Sequence, residues 1–273
     1  MEPFLKWAGG KRWLAKRQII SAEPSMRWVE PFAGSAAMFF NLEPRVAMLS
    51  DSNWDLINTY IAVRDQLDEF LENLETLKPR TTKAEYYAIR GDVPKCDIKR
   101  AARFVYLNRL AWNGLYRVNK RGEFNVPRGT KSSVTLPTDD WHSASDLLQR
   151  AQLRHCDFER VIEECGEGDS LFVDPPYTVA HNNNGFVKYN EKIFSWNDQI
   201  RLKKALDSAI SRGAKVVVTN ADHMSVRELY SGNEMQNLSR ASVIAGRAAA
   251  RGNTQEALIV MTPLTIPDQV FGR

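Results

Sequence analysis

The residues best suited to chemistry in this 273-residue chain are Asp174-Pro175-Pro176-Tyr177. They follow Leu171-Phe172-Val173, a β-branched and aromatic run that reads as a buried strand. Two prolines remove two N–H donors and stiffen the turn, which leaves backbone carbonyls to face a substrate. Asp174 adds a carboxylate acceptor, and Tyr177 adds a flat face. Acceptors for N–H protons beside a surface for stacking suit an amine carried on a planar ring. The bare tetrapeptide also fits a structural turn. Its place at the carboxyl end of a strand, where open α/β sheets bind ligands, favours the chemical reading.

A second group is Val29-Glu30-Pro31-Phe32-Ala33-Gly34-Ser35. A glycine-bearing turn between a strand and a helix lets a ligand approach the backbone closely. The spacing is not the GxGxxG of dinucleotide sites. Asp51 ends the next strand, about 20 residues on, where an acid can accept bonds from ribose hydroxyls. Any α/β nucleotide site would show this pair. A third group, Phe4-Leu5-Lys6-Trp7-Ala8-Gly9-Gly10-Lys11, is not a P-loop: the glycine spacing is wrong, and Arg12 stands where Ser or Thr is needed. Alone it reads equally as the start of a basic helix.

Between Lys99 and Lys131 nine Lys and Arg residues face a single acid, Glu123, so this segment carries +8 in a chain of net charge +4. Phe104, Tyr106, Trp112, Tyr116 and Phe124 are interleaved with the basic residues. Such a mixture suits a phosphate backbone with exposed bases, and it also suits a solvated helix face. The acid-free loop Arg240 to Arg251, with Arg247, is open to the same two readings.

The elements that must hold these groups follow from periodicity. Residues 12–20 read as a helix, 27–30 as a buried strand, 35–42 as the next helix, and 45–50 as a strand ending at Asp51. This is the start of an open α/β sheet. From Trp54 to about Trp112 the pattern is helical, with Leu67, Phe70, Leu71 and Leu74 at helix spacing. Residues 117–137 hold enough Gly, Pro, Asn and Ser for a loop or hairpin. Strands are expected at 152–156, 170–174, 215–219 and 256–261, with a helix at 197–211 opened by a Ser195-x-x-Asp198 cap. The predicted layout is an α/β domain, 1–55 and 151–273, split by a basic helical insertion, 56–150.

Composition excludes several classes. At 43% hydrophobic and 26% charged residues the chain reads as globular and soluble. No stretch nears the ~18 apolar residues of a membrane span, and Lys6, Lys11 and Arg12 interrupt any leader-like segment, so neither a membrane partner nor export is expected and the cytoplasm is the expected compartment. Cys96, Cys156 and Cys165 are odd in number and lack CxxC spacing, so neither disulfides nor a metal site are expected.

FLKWAGGK, EPFAGS, NGLYRVNKRGEFNVP and DPPY, in that order with Leu107-Asn108-Arg109, resemble the Dam-like family of DNA adenine-N6 methyltransferases, D12 class with α-type motif order. The resemblance spans nearly the whole chain. It implies a Rossmann-like sheet that binds S-adenosyl-L-methionine, with an inserted, mainly helical target-recognition domain. It places the cofactor at Trp7, Gly9, Lys11, Glu30, Pro31, Phe32, Gly34, Ser35, Asp51, Asp157, Phe158 and Asp174. Catalysis falls to Asp174, Pro175, Pro176 and Tyr177. Double-stranded DNA falls to Lys6, Arg109, Trp112, Asn113, Leu115, Arg117, Asn119, Arg121, Asn125, Pro127 and Arg128, with Tyr189 and Arg247.

Two positions depart from the family pattern: Ala36, where many relatives have glycine, and Arg128, often apolar. Under this resemblance Asp174 and the Pro175 carbonyl accept the N6 protons of a flipped adenine, and Tyr177 stacks on it. Phe186 and Tyr189 either assist or simply pack. The spacing at Arg117 is similar to that of GATC-reading members, where the arginine reads guanine; phosphate contact alone is the other reading. No metal or covalent nucleophile is needed, and a cognate restriction endonuclease is a conceivable partner not required for activity. Two rivals stay open: methylation of RNA or a protein amide, and a DNA-binding module without catalysis.

Overall fold

Val29, Met48 and Leu49, Leu171 to Val173 and Val216 to Val218 are all buried. Near-continuous apolar runs of this kind belong in strands covered on both faces. The computed structural model describes residues 1–119, 121–178, 194–241 and 253–261. Lys120, Phe186, Tyr189 and Arg247 lie outside the described residues.

In chain order the first elements are α1 (Arg12–Ala15), β1 (Arg27–Glu30), α2 (Ala37–Leu42) and β2 (Ala47–Asp51). Four helices follow: α3 (Trp54–Asp65), α4 (Leu67–Leu77), α5 (Lys83–Gly91) and α6 (Asp97–Leu110). Next come α7 (Trp141–Leu148), β3 (Ala151–His155), α8 (Phe158–Glu163) and β4 (Asp169–Val173). The remainder is α9 (Trp196–Ser211), β5 (Lys215–Ala221), α10 (Met224–Leu229), β6 (Glu234–Ala241) and β7 (Asn253–Val260).

The strands form one seven-stranded sheet in the order β3-β2-β1-β4-β5-β7-β6. β1 pairs in parallel with β2 through Glu30 and Leu49, and with β4 through Val29 and Leu171. β4 pairs in parallel with β5, Val173 beside Val218, while β7 runs antiparallel to both β5 and β6. From β1 the chain first goes to β2 on one side and later to β4 on the other. That reversal is a topological switch point, where open sheets bind ligands beyond the strands' carboxyl ends.

By its contacts the chain separates into two compact units: Met1–Lys16, Gly34–Glu43 and Asn53–His155; and Arg17–Ala33, Pro44–Ser52 and Cys156–Arg273. The first holds α3 to α7. Its core includes Phe70 and Phe4, both against Trp141 with ring centroids 5.2 and 4.9 Å away. In the second unit Val29, Met48, Phe158, Leu171, Val173, Leu202, Leu206, Val216 and Val218 form one buried cluster.

Several boundaries differ from the sequence expectation for local reasons. The helix expected over 12–20 ends at Ala15, and Gln18 adopts a left-handed φ of 54°. The helix expected from Ser35 begins at Ala37, because Ala36 is left-handed at φ 49°. α8, α10 and β6 have no strong pattern in the sequence. β6, at the sheet's edge, is mostly polar and buries Leu238, so it lacks the apolar run of the inner strands. The cap expected at Ser195 is a full capping box: its side chain accepts from the Asp198 N–H while the Asp198 carboxylate accepts from the Ser195 N–H.

Candidate active site and nucleic-acid interface

In the second unit, the parallel strands deliver three acids to one edge of the sheet. Glu30 closes β1, Asp51 closes β2, and Asp174 follows β4. Glu30 is buried at 2% exposure and accepts from the Trp28 indole N–H at 2.8 Å. Asp51 and Asp174 are half-buried. Phe32 leaves β1 and stacks on Phe158, centroids 5.2 Å apart, with Phe194 edge-on at 5.5 Å. Pro31 is buried beside it.

Asp157 caps α8 by accepting from the Glu159 N–H. Both of its carboxylate oxygens also take bonds from Arg201, at 2.8 and 3.0 Å, and the Arg201 guanidinium lies 4.3 Å over the Phe158 ring. Hydrogen bonds that Arg201 donates to Asp157, then to Glu159 and Asp198, hold its pKa well above its ordinary value despite partial burial. Arg201 was not singled out from the sequence; its i+3 spacing from Asp198 was the available signal.

The Asp174-Pro175-Pro176-Tyr177 turn is held from below. Thr219 Oγ1 donates to Asp174 Oδ1 at 2.8 Å. Gln199 Nε2 donates to the Pro176 carbonyl at 3.3 Å, and the Tyr177 hydroxyl donates to Glu256 Oε2 at 3.0 Å. Thr219, Gln199 and Glu256 are fully buried, and none was anticipated. Thr219 and Glu256 leave a sequence trace as polar residues beside the apolar runs at 215–221 and 256–261, whereas Gln199, among Asn197, Asp198 and Arg201, leaves none.

The first unit carries the N-terminal motif. Trp7 stacks on Tyr116 at 5.5 Å with planes 17° apart. Gly34, at φ +48°, packs so closely that an added Cβ would stand 2.8 Å from Trp7 Cδ1 and 3.0 Å from Nε1. Tyr60 donates its hydroxyl to the Gly34 carbonyl at 2.6 Å. Lys11 is 3% exposed and donates Nζ to the Gly9 carbonyl at 2.8 Å. Ser35 is buried, its Oγ 3.1 Å from where a Cβ on Gly10 would lie. EPFAGS and FLKWAGGK thus each contribute to a packed cluster here through Gly34, Ser35, Trp7, Gly9 and Lys11.

The basic segment also lies in the first unit. Residues 117–119 and 121–125 pair as the arms of a small hairpin: Val118 bridges Phe124 in antiparallel fashion, and the Asn125 N–H donates to the Arg117 carbonyl at 3.0 Å. Arg117 is exposed, and its Nε donates to Asn125 Oδ1 at 2.8 Å. Asn119 serves the turn itself, its Oδ1 accepting from the N–H groups of Arg121 and Glu123. Trp112, Asn113, Arg121 and Pro127 are exposed, and Leu115 is half-buried. Asn108 joins this segment to the N-terminal motif by accepting from the Lys6 N–H and donating to the Lys6 carbonyl, at 2.9 and 2.7 Å. It was read only as part of a motif.

Two arginines expected at DNA have other tasks. Arg109 is 1% exposed and ion-paired to Asp139 at 2.6 Å, so its guanidinium ties α6 to the 136–139 turn instead of facing a phosphate. Burial, opposed by Asp139, lowers its pKa. Arg128 donates Nε and Nη2 to the Thr81 carbonyl at 3.0 and 2.6 Å. Lys6 is half-buried; burial first, then the neighbouring Lys131 ammonium, pulls its pKa down to about 8.

Among the described residues no cluster of three or more His, Cys, Asp or Glu could hold a metal ion, and no helix is long and apolar enough to cross a membrane.

A sheet ordered β3-β2-β1-β4-β5-β7-β6 with β7 reversed, and with acids at the ends of β1, β2 and β4, is the Rossmann-like arrangement of methyltransferases. The chain belongs to the D12 class N6 adenine-specific DNA methyltransferases, whose family model matches residues 7–244. It is similar to the Type II methyltransferase M1.LlaDCHI of Lactococcus lactis subsp. cremoris, 32% identical over 269 residues and 95% of each chain. It is also similar to the Type II methyltransferase M.MjaIII of Methanocaldococcus jannaschii, 33% identical over 96% of this chain and 99% of that protein. The DNA adenine methylase of Escherichia coli K12 is 31% identical over 95% of each chain.

Two outcomes follow from this packing. Gly34→Ala would combine a left-handed φ with a collision against the Trp7 indole, so urea denaturation should show a loss of about 2–4 kcal/mol. Unchanged stability would mean that Trp7 and Gly34 are not in close contact. An amine with a pKa of about 8 is largely neutral one pH unit higher. Acylation of Lys6, followed by peptide mass mapping, should therefore rise through a midpoint near pH 8, and Lys131→Met should shift the midpoint upward.

Proposed function

We propose that this protein transfers a methyl group from S-adenosyl-L-methionine to the exocyclic N6 of adenine in double-stranded DNA, with GATC as target and the adenine flipped out of the helix. The observation that carries this reading is the Asp174-Pro175-Pro176-Tyr177 turn at the end of β4, with its carboxylate bonded to buried Thr219.

The side chains suit the cofactor's chemistry. Glu30 and Asp51, at the ends of adjacent parallel strands, match ribose hydroxyls and the positive charge of an amino-acid sulfonium. Phe158, with Asp157 and Phe32, is an aromatic and acidic set fit for an adenine. We assign the cofactor to Glu30, Pro31, Phe32, Asp51, Asp157, Phe158 and Asp174. Trp7, Gly9, Lys11, Gly34 and Ser35 are assigned to it on family resemblance. When bound, the cofactor supplies an electrophilic methyl group on sulfur.

The chain's own task is to orient and hold the amine. Adenine N6 is a weak nucleophile because its lone pair is spread into the ring. Asp174 and the Pro175 carbonyl accept the two N6–H bonds, which directs the lone pair out of the ring plane. N6 exchanges one N–H for the methyl group and so must give up one proton, and the Asp174 carboxylate, hydrogen-bonded to that N–H, is placed to take it. Preorganised acceptors and positioning supply the catalysis. Flipping takes a few kcal/mol of unstacking, and stacking on Tyr177 offsets part of it at ~1–3 kcal/mol per base.

DNA is assigned to residues 56–150 as a recognition domain inserted into a catalytic domain of 1–55 and 151–273. The contacts are Lys6, Trp112, Asn113, Leu115, Arg117, Asn119, Arg121, Asn125 and Pro127, with Tyr189 and Arg247; Arg109 and Arg128, engaged at Asp139 and the Thr81 carbonyl, are left out. Asn125 fixes the direction of the Arg117 fork, which suits bidentate bonding to guanine O6 and N7. The cytoplasm is the assigned compartment, and transfer needs no partner endonuclease.

Asp174→Ala should abolish methyl transfer to a GATC duplex while the thermal transition stays in place; near wild-type turnover at saturating cofactor would remove the residue from the mechanism. Arg117→Ala should relax selectivity for the outer guanine by ~1–3 kcal/mol, more than it lowers overall binding. Methylome sequencing in a methylation-free host reads this directly. Equal weakening on every sequence would make Arg117 a phosphate contact.

A further inference from the structure

The carboxyl half of β5 turns polar while staying fully buried. Val216, Val217 and Val218 give way to Thr219 and Asn220, and Gln199, in the first turn of α9, is buried as well. Burying polar side chains is unfavourable unless each is hydrogen-bonded, so their partners say what they are for. Here the partners lead to one place. Thr219 Oγ1 donates to Asp174 Oδ1 at 2.8 Å. Asn220 Oδ1 accepts from the Ala221 N–H at 2.8 Å, and its Nδ2 donates to Gln199 Oε1 at 3.1 Å. Gln199 Nε2 then donates to the Pro176 carbonyl at 3.3 Å. The chain has a direction: the Pro176 carbonyl can only accept, so Gln199 must present its oxygen to Asn220.

We propose that Thr219, Gln199 and Asn220 are positioning residues for methyl transfer, acting through Asp174 and the turn that follows it. The Thr219 bond fixes rotation of the Asp174 carboxylate, and so the direction in which it meets an N6–H. The Gln199–Asn220 chain fixes the peptide plane after Pro176, and so where Tyr177 leaves the turn. None of the three touches the substrate. The proposal rests on the assignment of Asp174 made above.

The test is single-turnover methylation of a GATC duplex at saturating cofactor, with cofactor affinity by calorimetry, duplex affinity by anisotropy and the thermal transition measured alongside. Thr219→Val keeps the shape of the side chain and removes the donor. Its transfer rate should fall about ten- to a hundredfold, the size of effect that small misplacements of reacting groups produce. Both affinities should stay within about twofold, because an interaction that acts only on the chemical step leaves binding alone. Thr219→Ser, which keeps the hydroxyl, should recover most of the rate. Gln199→Met should act in the same direction as Thr219→Val and serves as the readout if that variant does not fold.

A folded Thr219→Val at the wild-type rate, with Asp174→Ala inactive, overturns the proposal and leaves the role of Asp174 standing. So does a rate loss matched by an equal loss of affinity, or one that serine does not restore. Turnover by Asp174→Ala would instead remove the reading beneath it.

Discussion

Parallel pairing of β1 with β2 on one side and β4 on the other is the constraint on which the rest depends. Strands that run the same way end at the same edge, so acids distant in sequence, at 30, 51 and 174, arrive together without any contact between them being needed. The arrangement requires each strand to be apolar up to its last residue and polar just there. Val29-Glu30 and Val173-Asp174 show that change, and in β2 it comes one residue earlier, at Leu49-Ser50-Asp51. A slip of one residue in β4 would turn Asp174 to the other face and bring an apolar side chain to the strand end.

That logic was legible in the sequence. The strand cores, the DPPY turn, the Ser195 cap and the hairpin at 117–125 each rest on local patterns of apolarity, proline and glycine. What stayed hidden depends on partners far along the chain. Thr219 and Glu256 look like polar breaks beside apolar runs, and Gln199 like one more polar residue of a helix start, until their bonds to residues 174–177 are seen. Arg201 reads as one more helical cation, but it grips Asp157 from 44 residues away. Ala36 stands in the sequence only as a departure from glycine; its left-handed backbone explains why glycine is comfortable at that position and why α2 starts at Ala37 and not at Ser35.

The charge of the 99–131 segment is the clearest case where counting misleads. Its +8 suits a surface for phosphates or a solvated helix face. Arg103 instead donates to the carbonyls of Ile89 and Arg90 at the end of α5, and Arg109 is buried against Asp139. A guanidinium is long and carries five donors, so it can satisfy helix-end carbonyls that no short side chain reaches. Among the described residues of the segment, Lys99, Arg117, Arg121 and Lys131 are the exposed cations, fewer than the sequence total implies.

The capping box of α9 has a wider reach than one helix end. Ser195 and Asp198 fix where the helix starts, and with it the azimuth of every side chain in the first turns. Gln199 points to Pro176, while Arg201, two residues on, points to Asp157 and Phe158. Successive helical residues differ by about 100° in direction, so moving the start by a single residue would swing both away from their targets at once. Two loops separated by nearly twenty residues therefore share one angular reference. A substitution in the box can disturb both together, and sequence drift in either loop is tied to the phase of the same helix.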